Sequence, residues 1–126
     1  LSAKPPYRLT LELPGLPRMT NGTGGSRNPW VLHRLAQEWK GRAIVAAKAE
    51  GVPQAPLKHA RLVLTRYSSV SPDPDGLVSG FKAIVDGLVA AGVLENDRFD
   101  NIGMPDYRWE KVPQRAGKVR VEVSSA

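Results

Sequence analysis

Between Asn28 and Pro53, the apolar residues Leu32, Leu35, Ala36, Trp39, Ala43, Ala46 and Ala47 recur at spacings of three and four. That period winds them onto one stripe of an α-helix, and a helix with a single apolar stripe has to lay it against another element. Asn28-Pro29 supplies an N-cap followed by proline at the first helical position, and Gly51 with Pro53 beyond it supplies the stop. A helix over Pro29 to Glu50 is therefore predicted. Trp30 and Trp39 are expected as core anchors, with Arg34, Glu38 and Lys48 away from the centre of the stripe.

The rest of the chain has to provide the surface on which this helix rests. Tyr7 to Leu13 alternates apolar and polar residues and stops at Pro14-Gly15, the pattern of a half-buried strand. Leu57 to Tyr67 repeats the pattern, with Ala60, Leu62 and Leu64 alternating with Arg61, Val63 and Thr65. Tyr107 to Val112 and Lys118 to Val123 alternate again across a short connection, and are read as a hairpin. Gly76 to Ala91 carries Leu77, Phe81, Ile84, Val85 and Leu88 on a helical period and ends at Gly92, although Gly80 and Gly87 weaken its intrinsic helicity. Leu16 to Asn28 is a loop, and Asn21 to Ser26 within it is too glycine-rich for an element interior. The order β-α-β-α-β-β predicts an α/β fold: one domain over residues 1–126, a mixed sheet and two main helices. A chain of 126 residues suits one such domain, which buries roughly two thirds of its unfolded surface.

Composition narrows the function. Without cysteine there is neither a disulfide framework nor a thiolate metal site. No apolar run approaches the roughly 20 residues of a membrane span, and Leu1 to Arg8 lacks the apolar core of a signal peptide, so a cytoplasmic setting is the default expectation. Lys and Arg number 18 against 12 Asp and Glu, and the net +6 favours a polyanionic partner. The bases are spread along the chain, whereas most of the acid falls between Asp73 and Asp106. An acidic cluster inside a basic protein suits a cation flanked by side chains that attract phosphate.

Asp73-Pro74-Asp75 stands where the second strand gives way to a helix. Two carboxylates two residues apart on extended backbone point the same way, and proline between them biases Asp73 toward that geometry. Asp75 is also a candidate N-cap. Asp-Pro-Asp-Gly is equally a turn sequence, and taken alone the turn reading is the stronger. Ser79, Lys82 and Asp86 then follow Asp75 close to one helical stripe; a solvated face explains Ser79 and Asp86, while Lys82 lies where its ammonium can reach a phosphate held at the carboxylates. The loop Glu95 to Asn101 adds further acid. Hard carboxylate oxygens, with only His33 and His59 and no histidine pair at ligand spacing, favour magnesium or manganese over zinc. No nucleotide-binding glycine loop ends in Gly-Lys-Ser/Thr, so no nucleotide cofactor is expected.

The run Asp73-Pro74-Asp75-Gly76, Phe81-Lys82, Asp86-Gly87-Leu88, Ala91-Gly92-Val93 and Asn96-Asp97 resembles the RusA-like Holliday junction resolvases of phages and prophages. The resemblance is dense over residues 73–97, and the flanking elements agree in order and kind. Gly76 stands where the motif usually has asparagine, Asn96 replaces the first acid of a pair, and three extra residues separate Asp75 from Lys82. The resemblance implies a magnesium-dependent homodimeric endodeoxyribonuclease that cuts four-way junctions and other branched DNA. It implies Asp73, Asp75 and Asp97 as metal ligands, manganese being an alternative ion, and Lys82 as the catalytic lysine that offsets charge developing on phosphate. Asp86 matches a further acidic position. Two other readings stand beside it: a non-catalytic branched-DNA-binding protein on the same fold, and a small interaction module that does not bind DNA.

Overall fold

A computed structural model describes residues 6–17 and 28–126, so the glycine-rich stretch 21–26 lies outside the described residues. The elements run β1 (Arg8–Pro14), α1 (Pro29–Glu50), β2 (Ala60–Ser68), α2 (Pro74–Gly80), α3 (Lys82–Ala90), α4 (Phe99–Ile102), β3 (Asp106–Lys111) and β4 (Lys118–Ser125), with one 3-10 turn at Gln114–Ala116. They form an α/β domain around one mixed sheet.

The long helix has the expected bounds. The Asn28 side chain accepts from the Trp30 amide at 3.0 Å, and Gly51, at φ 105°, closes the last turn on the Ala47 carbonyl. Trp39, Ala43 and Ala47 are buried. Trp30, expected in the core, is instead 81 % exposed. Nine residues at about 100° each carry it half a turn away from Trp39, so the two rings cannot share a face.

The strands lie in the order β1-β4-β2-β3. β4 runs antiparallel to both β1 and β2, and β3 runs parallel to β2. The expected β3–β4 hairpin is thus not formed, because β2 stands between the two strands and the turn after β3 carries the chain past its end, where the Val112 amide bonds the Ser68 carbonyl at 3.1 Å. Parallel neighbours need a crossover, and α2 to α4 supply it between β2 and β3.

Register explains the core. Leu9, Val123 and Leu62 face one another across three strands, and Leu11, Val121 and Leu64 form the next row. All six are buried, and α1 and α3 cover this side, joined by Ile84, Leu88 and Phe81. On the opposite side the rows are charged: Glu12 accepts from Arg120 at 2.7 Å and lies 3.5 Å from Lys118. Such mixed pairs give an antiparallel sheet a solvated face.

The predicted helix over residues 76–91 is two helices, which makes three main helices rather than two. Phe81, between them, has φ −96° and ψ −5°, and its amide bonds the Val78 carbonyl three residues back. The break follows Ser79-Gly80, a pair at which helices commonly kink, and it drives the Phe81 ring into the core at 1 % exposure against Tyr107. Gly87 is where α3 crosses α1: a Cβ there would meet the Lys40 carbonyl oxygen at 2.7 Å and the Ala43 Cβ at 2.8 Å. Gly92, at φ 86°, ends α3 as expected.

Candidate functional site

The N-cap of α2 is Asp73, not Asp75. Pro74 takes the first helical position, where its missing amide costs nothing, and Asp73 keeps the extended backbone that a following proline demands, φ −75° and ψ 157°. Asp73 makes no side-chain cap hydrogen bond to the helix, while its carbonyl accepts from Leu77 at 3.0 Å. Asp75 sits in the first turn, where the helix dipole favours a carboxylate. Both side chains belong to exposed residues at the mouth of the β2-to-α2 connection.

One kink further on, Lys82 opens α3. A cation in the first turn of a helix opposes the helix dipole, so the position has to be compensated from outside the backbone. Two carboxylates do this: Lys82 Nζ donates to Asp86 Oδ1 and to Asp97 Oδ2, each at 2.9 Å. The first contact is a four-residue step along α3; the second spans fifteen residues and ties the segment before α4 to the helix. These hydrogen bonds raise the Lys82 ammonium above its ordinary value, Asp86 contributing most, and Lys82 in turn holds the Asp97 carboxyl below the usual aspartate range. The Lys82 side chain remains 66 % exposed, so each pair contributes at most about 1 kcal/mol to stability.

Lys82 separates two clefts. One, of about 260 Å³, lies between α1 and the α2–α3 pair and is lined by Pro17, Leu32, Leu35 and Trp39, with Lys82 and Asp86 at its edge. The other, of about 520 Å³, is walled by Val85, Phe99, Met104 and Tyr107, with Lys82 and Asp97. A cation on the ridge between two grooves can touch a chain laid across either.

Of the four residues assigned by resemblance, the structure brings Lys82 and Asp97 into direct contact and adds Asp86, which the helical period alone places on a solvated face. Asp73 and Asp75 are close to one another along the chain. Their carboxylate oxygens suit a hard cation in kind. Among the described residues no group of three or more acidic or histidine side chains is gathered around one point, and Asp97 is hydrogen-bonded to Lys82. His33 and His59 are both exposed. Ser79 donates to the Gly76 carbonyl at 3.2 Å.

Sequence reasoning missed Arg66. It occupies the next inward position of β2 after Leu62 and Leu64, and it is buried to 8 % exposure. The period-two pattern that marks those leucines as core also marks Arg66, so the signal was present. No helix among the described residues is long and apolar enough to cross a membrane. No protein-family model matches the chain, and a search of curated proteins finds no match.

Proposed function

We propose that this chain is a divalent-cation-dependent endodeoxyribonuclease acting on branched DNA, four-way junctions included, and that it works as a homodimer. Magnesium is the proposed ion, with manganese as a substitute, and Asp73, Asp75 and Asp97 are the proposed ligands. The observation that carries the reading is the contact between Lys82 and Asp97 at 2.9 Å, two residues paired by the motif resemblance but fifteen apart in the chain. Lys82 is held against its own helix dipole, on a ridge between two clefts, where a phosphodiester can exchange for a carboxylate as its partner. Its role is to meet charge on a non-bridging phosphate oxygen. A homodimer would set two such sites against the near two-fold symmetry of a junction. The net charge of +6 supports attraction to DNA.

A second reading has its own support: a branched-DNA-binding protein that does not cut. The three proposed ligands are not gathered into one group among the described residues, and a binder needs no such group. Incubating the protein with a synthetic four-way junction in Mg²⁺ and in Mn²⁺, with duplex and single strand as controls, separates the two. Junction cleavage in either ion supports the nuclease. Junction binding without cleavage in both supports the binder, and absence of binding removes both and leaves the small interaction module.

A further inference from the structure

The third cross-strand row of the covered sheet face breaks the pattern of the first two. Where those rows place Leu62 and Leu64 on β2, this one places Arg66, between Val119 of β4 and Trp109 of β3. The residue is more than nine-tenths buried, yet among the described residues its guanidinium makes a single hydrogen bond, from Nη1 to the Pro17 carbonyl at 3.0 Å. Its Nε is fully buried with no partner among them. None of the ion pairs among the described residues includes it. Burial pushes its pKa down, with no carboxylate acting in the other direction. A guanidinium nevertheless stays protonated in a protein, so the described part of the chain holds a buried charge without a counter-ion. Leaving such a charge uncompensated is strongly destabilising, and an apolar residue would serve the row better if packing were the only demand.

We propose that Arg66 receives a phosphate group, and that its natural source is the backbone of the DNA bound beside Lys82. The planar fork of N–H donors left unused is the geometry that pairs with two oxygens of one phosphate. Pro17, whose carbonyl takes the one bond Arg66 makes, is a wall of the cleft whose edge carries Lys82. Arg66 itself lines neither cleft but is bonded to the far side of that wall, so a phosphate in the Lys82 cleft reaches it by taking the place of the Pro17 carbonyl. Only the DNA source rests on the nucleic-acid reading above; the anion site itself does not.

The test uses wild type, Arg66→Met and Arg66→Lys. Thermal unfolding is followed in inorganic phosphate against chloride at matched ionic strength, and affinity for a labelled four-way junction is measured without divalent metal. Phosphate is expected to raise the wild-type midpoint and to leave that of Arg66→Met unmoved. In chloride the methionine variant is expected to be at least as stable as wild type, since an apolar side chain of similar length removes an unpaired charge. Its junction affinity is expected to fall by about tenfold or more. A full phosphate response in Arg66→Met overturns the proposal, and so does an equal loss of stability in chloride and phosphate, which would make Arg66 a pin for Pro17. A lost phosphate response with unchanged junction affinity overturns the DNA source and leaves free phosphate as the ligand. Should Arg66→Met not fold, Arg66→Lys keeps the charge without the fork and must lose part of the phosphate shift; an unchanged shift overturns the proposal. None of these readouts is cleavage, so a chain that does not cut DNA leaves the site standing.

Discussion

Replacing Gly87 with alanine puts a methyl group where α3 crosses α1. Its Cβ would lie 2.7 Å from the Lys40 carbonyl oxygen and 2.8 Å from the Ala43 Cβ, whereas non-bonded carbon atoms settle at about 3.5–4.0 Å. Neither neighbour can swing aside, since one is helix backbone and the other a fully buried residue on the stripe of α1. The helices must part along a seam that also holds Ala47, Ile84 and Leu88, and overpacking of that kind costs up to about 3 kcal/mol. Alanine returns about 1 kcal/mol of helix propensity, leaving a net loss of about 2 kcal/mol. For a domain of this size that lowers the melting temperature by about 8 °C. Gly41 provides the opposite case. It lies inside α1, and a methyl group added there would meet nothing within 4 Å beyond the adjacent backbone of its own helix, so Gly41→Ala is expected to gain about 1 kcal/mol, or about 4 °C. Circular dichroism melts of both variants check this. Gly87→Ala melting at or above wild type would refute the close helix crossing.

Lys82→Ala is expected to change stability by about 1 kcal/mol or less while slowing junction cleavage far more than it weakens junction binding, as single-turnover rates and affinities would show. The Lys82–Asp97 pair contributes stability above the ordinary carboxylate range and loses it as pH falls through the lowered Asp97 value. At the alkaline end it is lost as pH rises through the raised Lys82 value. In an NMR titration of Lys82→Ala the Asp97 midpoint should move up toward the ordinary aspartate value; an unmoved midpoint contradicts the pair. Trp30→Ala is expected to leave stability within about 0.5 kcal/mol of wild type, because the ring is 81 % exposed, and a large drop in melting temperature would place it in the core after all.

The bounds of α1 were legible because three local signals coincide there: an N-cap with proline behind it, an apolar stripe and a glycine stop. Only Trp30 was misread, and counting turns from Trp39 would have caught it. Strand alternation was equally legible, since it records which side of each strand is buried. It does not record which strand is the neighbour, and so β4 was paired with β3 although it runs between β1 and β2. The break at Phe81 is hidden by a different effect. The apolar period continues through Leu77, Phe81, Ile84 and Leu88 because both helices face the same core, and Ser79-Gly80 is the one local mark of the kink. At the site, Lys82 with Asp86 is a four-residue step that any helix reading contains, whereas Lys82 with Asp97 depends on how the chain turns back after α3. Arg66 was visible as an inward position of β2, but its lack of a counter-charge could be seen only once its surroundings were in place.

Asp75 tests the central claim most directly, because it stands in the first turn of α2 and belongs to both the motif and the helix. Asp75→Asn keeps the size of the side chain and removes the charge that a hard cation needs. The measurement is the rate of four-way junction cleavage in Mg²⁺ at saturating protein, alongside the melting temperature of each protein. The account expects wild type to cut, and Asp75→Asn to fold and bind the junction at least as tightly while cutting at least about a hundredfold more slowly, a loss of about 2.7 kcal/mol in transition-state stabilisation. A folded Asp75→Asn that cuts as fast as wild type would contradict it and return Asp73-Pro74-Asp75 to the role of a turn.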